Sequence, residues 1–205
     1  MKSRKAGSRH PLLFYRRTMD RLWKITLLLG LFMLAVWGWT IYRPSSVLSS
    51  SGVWMLGGAI AALALTAFAF FARYMAYVQA HAQYLKVVTP FLRMNVSYRR
   101  FRSVYPVLVQ QLFPPKDSKR SQQNFLEPFY GKTAVVVDLR GYPLNPTLLK
   151  LFLPSQMFSP RTTGLVFVVS DWMGFSTELD SLQGSWLQQR QTSSRMPSSD
   201  DWTYQ

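Results

Sequence analysis

Hydrophobic and polar positions are unevenly spread along this chain. No charged residue occurs from Ile25 to Tyr42 or from Ser45 to Ala72, and Val53 to Ala72 is almost wholly apolar. A bilayer core of about 30 Å needs about 20 helical residues at about 1.5 Å each. The second run meets that length, and the first meets it once Leu22 and Trp23 are included. The pattern predicts two spans, at 23–42 and 53–74, joined by the polar turn Arg43–Gly52, where Pro44 and a Ser run break the helix. Buried helices of a soluble protein are the alternative, but runs this apolar leave no polar face. A cleavable signal peptide fits poorly with a 24-residue basic lead and so long an apolar run.

The flanks carry other periods. In Pro11–Lys24, Leu12, Tyr15, Met19 and Leu22 fall on one helical face, with Arg16, Arg17 and Arg21 off it. This predicts an interfacial helix inside a basic arm, residues 1–24, whose first ten residues are read as disordered. The second helix is expected to continue through Tyr74–Gln83 as it leaves the membrane, closing a hairpin region at 25–83.

From Tyr84 to about residue 187 the chain has the size of one small domain. Tyr84–Thr89 reads as a strand stopped by Pro90. In Phe91–Val104, Leu92, Met94, Val96 and Tyr98 alternate with Arg93, Asn95, Ser97 and Arg99, the period of a half-buried strand. Lys116–Asn124 reads as a polar loop, Lys132–Arg140 and Gly164–Val169 as strands, and Asn145–Leu153 as a short helix. Ser170 or Asp171 then caps a helix with Trp172, Phe175, Leu179, Leu182 and Trp186 on one stripe. Residues 188–205 are polar and read as a disordered tail. Strands first and a helix last predict an antiparallel α+β domain.

Composition adds a charge argument. The chain has 205 residues, 24 Lys and Arg against 9 Asp and Glu, a net charge of +15, and no cysteine. Disulfides, cysteine-based zinc sites and cysteine nucleophiles are excluded. Residues 1–24 hold eight basic residues and one acid, the connecting turn one basic residue, and residues 73–205 fifteen basic residues and eight acids. The positive-inside rule therefore predicts a multi-pass cell-membrane protein with both termini in the cytoplasm.

Two apolar spans, the strand pair around YLKVVTPFLRMNVSYRRFRSVYP and a closing helix together resemble bacterial membrane proteins with a pleckstrin-homology-like domain. The stretch Asn95–Arg102 resembles the strand that follows the first hairpin in that group. The resemblance implies a small antiparallel domain of seven strands, plugged by a C-terminal helix, of which the pattern alone marks fewer. It implies location and fold, with no catalytic motif.

Candidate chemistry is sparse. His10 and His81 have no acid near them in sequence, so neither a histidine base nor a metal site is predicted, and no cofactor. Gly131-Lys132-Thr133 mimics the end of a phosphate loop, but Leu126 stands where its first glycine belongs and a strand follows. No stacking aromatics accompany the basic residues in a nucleic-acid motif. What remains is binding. Arg93, Arg99, Arg100 and Arg102, with Lys116, Lys119 and Arg120, are candidate contacts to anionic lipid headgroups. Strand alternation predicts Arg100 and Arg102 on one face, with Arg93 and Arg99 on the other. Gly57, Gly58, Ala61 and Ala62 are candidate helix-packing positions in the membrane. The expected role is non-enzymatic: a membrane-anchored interaction module touching protein or anionic lipid at the cytoplasmic leaflet. The alternative is an accessory subunit of a larger complex. An unidentified protein partner or a second copy is the expected protein contact.

Overall fold

The computed structural model describes residues 6–42, 52–115 and 120–195. They form two compact units, Leu12–Ala76 and the remainder. The connecting turn, Lys116, Lys119 and the last ten residues lie outside the described residues.

The first unit is a pair of helices, α1 at Leu13–Tyr42 and α2 at Gly52–Met75. Both are long and apolar enough to cross a membrane. α1 has no glycine or proline before Gly30, so the segments expected as an interfacial helix and as a first span form one unbroken helix. The helices run antiparallel, because Thr26 meets Thr66 and Asp20 meets Arg73. Ala59, Ala62, Thr66, Ala69, Ala72 and Ala76 recur in steps of three and four and are all buried. A side chain at Gly30 would come within 3.2 Å of Leu63, and one at Gly58 within 3.1 Å of the Met33 sulfur. The backbones approach closely because these residues are small. Of the four expected packing positions, Gly58 and Ala62 lie in this seam. Gly57 faces open space and Ala61 is exposed.

The second unit is a sheet unit. Its first sheet has strand order β1-β2-β3-β4, from Arg9–Pro11, Tyr77–Ala80, Tyr84–Val88 and Arg93–Ser97. A single 3-10 turn, Tyr98–Arg100, leads to the second sheet. This has order β5-β6-β7, from Phe101–Leu108, Thr133–Leu139 and Gly164–Phe167. All pairings are antiparallel. Short helices α3 (Val109–Leu112), α4 (Arg120–Leu126) and α5 (Pro146–Phe152) fill the connections. Helix α6, Trp172–Arg195, follows the last strand and packs on strands of both sheets. Asp171 caps it, accepting from the Gly174 N–H at 2.9 Å. Phe175 and Leu179 of the expected stripe are fully buried, with Trp172, Leu182 and Trp186 half-buried.

Several expectations are corrected. Residues 6–10 are ordered: Arg9, His10 and Pro11 pair with Gln79, Val78 and Tyr77. Gly7 donates to the Ala80 carbonyl at 2.8 Å. On α6, Glu178 accepts from the Ser8 N–H at 2.8 Å and sits 3.3 Å from His10 Nε2. A three-residue edge strand has no periodic signal, so its order comes from these backbone and carboxylate bonds. Helix α2 stops at Met75 and Tyr77–Ala80 is a strand, because Val78 and Ala80 alternate into the sheet core. The long strand read at Phe91–Val104 is two strands in different sheets. Ser97 caps the intervening turn, and the Tyr98 hydroxyl donates to the His81 carbonyl at 2.5 Å. The part of the expected polar loop from Arg120 onward is helix α4, anchored by buried Phe125 and Leu126. The expected tail is helical up to Arg195, since the Gln and Arg residues there are good helix formers.

Candidate functional site: a basic cleft beside the second sheet

The sheet unit carries a cleft of about 870 Å³. It is lined by Arg102 of β5, by Asp138, Leu139 and Arg140 at the end of β6, and by Arg161, Thr162 and Thr163 before β7.

Local backbone geometry aims these groups. Phe101 pairs with Leu139 and Ser103 with Asp138, so Arg102 is the extra residue of a β-bulge. A bulge bends the strand and redirects the side chain it carries. Arg140 follows the last paired residue of β6 and is held by its N–H donating to the Arg100 carbonyl at 2.8 Å. The segment before β7 turns through a cluster of small polar residues. The Ser159 and Thr162 hydroxyls are hydrogen-bonded to each other at 2.9 Å, and the Leu139 N–H donates to the Thr163 carbonyl at 2.7 Å. Gly164 permits the approach of β7, because a side chain there would meet the Val137 carbonyl at 2.9 Å.

Asp138 is buried at the base of the cleft, 7% exposed. Hydroxyls engage its carboxylate: Ser103 donates at 2.9 Å, and Thr162 donates to the other oxygen. The Tyr105 hydroxyl lies within reach of the Asp138 charge. Burial first, and the Asp138 charge second, push the Tyr105 pKa up, so this hydroxyl stays protonated. The carboxylate is thus satisfied by neutral donors. None of the three cleft arginines is ion-paired among the described residues. Arg161 donates one guanidinium N–H to the Gln111 carbonyl at 3.2 Å, which fixes its position and leaves further donors.

The predicted basic residues separate. Only Arg102 lines the cleft. Arg93 is on β4 in the other sheet, and Arg99 is in the 3-10 turn. Arg100 is in that turn too, its guanidinium donating to the Tyr142 carbonyl at 2.7 Å. Arg100 and Arg102 therefore do not share a strand face, because Arg100 is in the turn and β5 begins only at Phe101. Arg120 begins α4. Arg140 and Arg161 were not singled out in the sequence. One ends an apolar strand and the other sits in a polar turn, and only β6–β7 pairing joins them. Asp138, a lone acid in the run VVVDL, was a legible signal of a polar site in an apolar strand.

The histidines also differ from expectation. His10 has an acid nearby after all, Glu178, from a helix 168 residues away in sequence. His81 is not on a helix: it follows β2 and stacks on Tyr84 with ring centroids 4.8 Å apart. Burial first and Lys86 second hold its pKa below the ordinary histidine value. Lys132 and Thr133 of the phosphate-loop mimic lead into β6 rather than into a helix.

Among the described residues no three His, Asp or Glu side chains gather where a metal would need them. The cleft can bind an anion through charge and guanidinium hydrogen bonds. No protein-family model, curated protein or solved structure matches the chain.

Proposed function

We propose that this chain is an integral membrane protein whose two helices anchor a pleckstrin-homology-like interaction module at the cytoplasmic leaflet of a cell membrane. The module acts without catalysis, by contact with anionic lipid or protein. The observation that carries the reading is the architecture of the sheet unit: antiparallel sheets of four and three strands, followed by one helix against both. Support for the anchor comes from the surface of the helix pair. A core helix of a soluble protein is mostly buried, whereas only 11% of the most apolar window of α1 and 28% of that of α2 is covered. The excess of basic residues before α1 favours cytoplasmic termini. Anchoring keeps the module at high effective concentration beside the leaflet.

Two measurements test this. A reporter fused after Gln205 should be accessible only from the cytoplasmic side, and external accessibility would overturn the orientation. The full chain should be reconstituted in neutral and in anionic vesicles. Its sheet unit should resist protease better in the anionic ones, and high salt should remove the difference. Equal protection in both would overturn the lipid contact.

The accessory-subunit reading is favoured by one observation: Gly57 and Ala61 of α2 are left open by α1. A stoichiometric partner co-purifying in mild detergent would favour it, and loss of that partner in Gly57→Leu would place the contact.

A further inference from the structure

We infer that the cleft of Arg102, Arg140 and Arg161 is a binding site for a phosphomonoester or diphosphate group. The inference deepens the anionic-contact reading above and rests on its non-catalytic part, naming the group and the residues that take it.

Three independent features converge. The first is aim. Arg102 occupies a bulge, where one strand spends an extra residue to redirect a side chain, and it lines the same cleft as Arg140 at the end of the partner strand. Bringing like charges together costs free energy unless an anion joins them.

The second is the unused charge. The single carboxylate in the cleft would normally pair with an arginine. Here its oxygens are taken by Ser103 and Thr162, and no guanidinium is ion-paired to it. A buried aspartate bonded by hydroxyls scaffolds the turn before β7. That turn carries Arg161 into the cleft, where the Gln111 carbonyl steadies it.

The third is chemistry. Guanidinium forks match phosphate oxygens in pairs, and three of them suit a dianion better than a single carboxylate. The Thr163 hydroxyl, which is not engaged by Asp138, can serve a remaining oxygen. A volume of about 870 Å³ admits a phosphate with a substituent attached. That substituent is either a free small molecule or the glycerol of a lipid.

The test uses the full chain in a neutral detergent, titrated calorimetrically with inorganic pyrophosphate and with water-soluble dihexanoyl phosphatidic acid. Dihexanoyl phosphatidylcholine, a zwitterionic diester, is the control. Saturable binding of pyrophosphate supports a free phosphate ligand. Binding of phosphatidic acid alone supports a lipid headgroup. In either arm Arg140→Gln with Arg161→Gln should weaken binding at least tenfold, and Arg161→Lys, which keeps charge but loses the fork, by less. Arg93→Gln, on the other sheet, should leave binding unchanged. All these side chains are exposed, so melting temperatures report whether a variant has folded. If neither ligand saturates, or if Arg93→Gln weakens binding as much as the cleft variants, the site does not exist as described. Vesicle protection that persists without either titration would leave the membrane-contact reading standing while sinking this one.

Discussion

The helix pair and the sheet unit are built with opposite arrangements of side-chain size. Along α2 the buried seam is mostly alanine, while Leu28, Phe32, Trp54 and Phe71 of the pair are exposed; large buried side chains, Phe14, Tyr15 and Met19, are confined to the first turns of α1. In the sheet unit Phe167, Phe175, Leu165 and Leu179 are inside, and arginines line the surface. Water drives large apolar side chains together, so a water-solvated unit hides them. A lipid-solvated pair gains little from hiding them and is held instead by close backbone approach and polar cross-links. The helix pair has both: Thr66 donates to Thr26 at 2.9 Å, and Arg73 meets Asp20 at 3.1 Å. Arg73 also lies over the Phe70 and Tyr74 rings, 4.1 and 4.5 Å from their centroids. The inversion supports the proposed anchor, and it is open to direct attack.

The largest expected effect is in the sheet core. Phe175→Ala removes a side chain packed on Phe167 and His10 and should cost about 3–5 kcal/mol. Leu28→Ala in the helix pair should cost under about 0.5 kcal/mol. Denaturation of the detergent-solubilised chain compares them, and equal losses would end the inversion argument. The reverse substitution is the next test. Ala62→Leu should spread the helices at a cost of about 1–3 kcal/mol. Because the chain lacks cysteine, Thr26→Cys paired with Thr66→Cys reports the spacing, and its cross-linking yield should fall when Ala62→Leu is added. Unchanged yield would show that the seam is not tightly packed.

Glu178 ties the amino-terminal strand to α6, so Glu178→Ala should release it at a cost of about 1 kcal/mol. Trypsin cleavage at Arg9 should speed up while cleavage within β6 does not. Equal acceleration at both would mean the whole unit had loosened. The smallest effect is at His81. Its folded pKa is depressed, so the unfolded chain binds the proton more readily. The stability it contributes is present above about pH 6.5 and is lost as pH falls through the lowered folded value. Wild type should therefore lose more melting temperature than His81→Gln between pH 7.5 and 5.5. Identical losses would remove His81 as a cause.

The elements readable in the sequence were those with long or strict periods. Both apolar helices, the alternation Arg93–Ser97 and the stripe of α6 follow from repeats that their own residues complete. β1 and β2 were missed for a common reason. Each is too short to show a period, and each exists because the other is opposite it across 67 residues of intervening chain, as in His10 with Val78. The turn at Tyr98–Arg100 was missed because alternation continues through Tyr98 before the chain crosses between sheets. The cleft was a third legible. Arg102 stood in a visible basic cluster, whereas Arg140 and Arg161 are joined only by the pairing of Asp138 with Gly164.

By itself the sequence determined what is local: where apolar helices form, which strand faces are greasy, where caps and prolines stop an element, and the excess of positive charge. These depend on residues within a few turns of one another. Only the tertiary structure decided that the amino-terminal arm completes a sheet begun after the second helix, and that a bulge and a buried aspartate gather three distant arginines. Those arrangements are set by backbone hydrogen bonds between strands remote in sequence. Such bonds are made by groups every residue carries, and so they leave no mark in side-chain pattern.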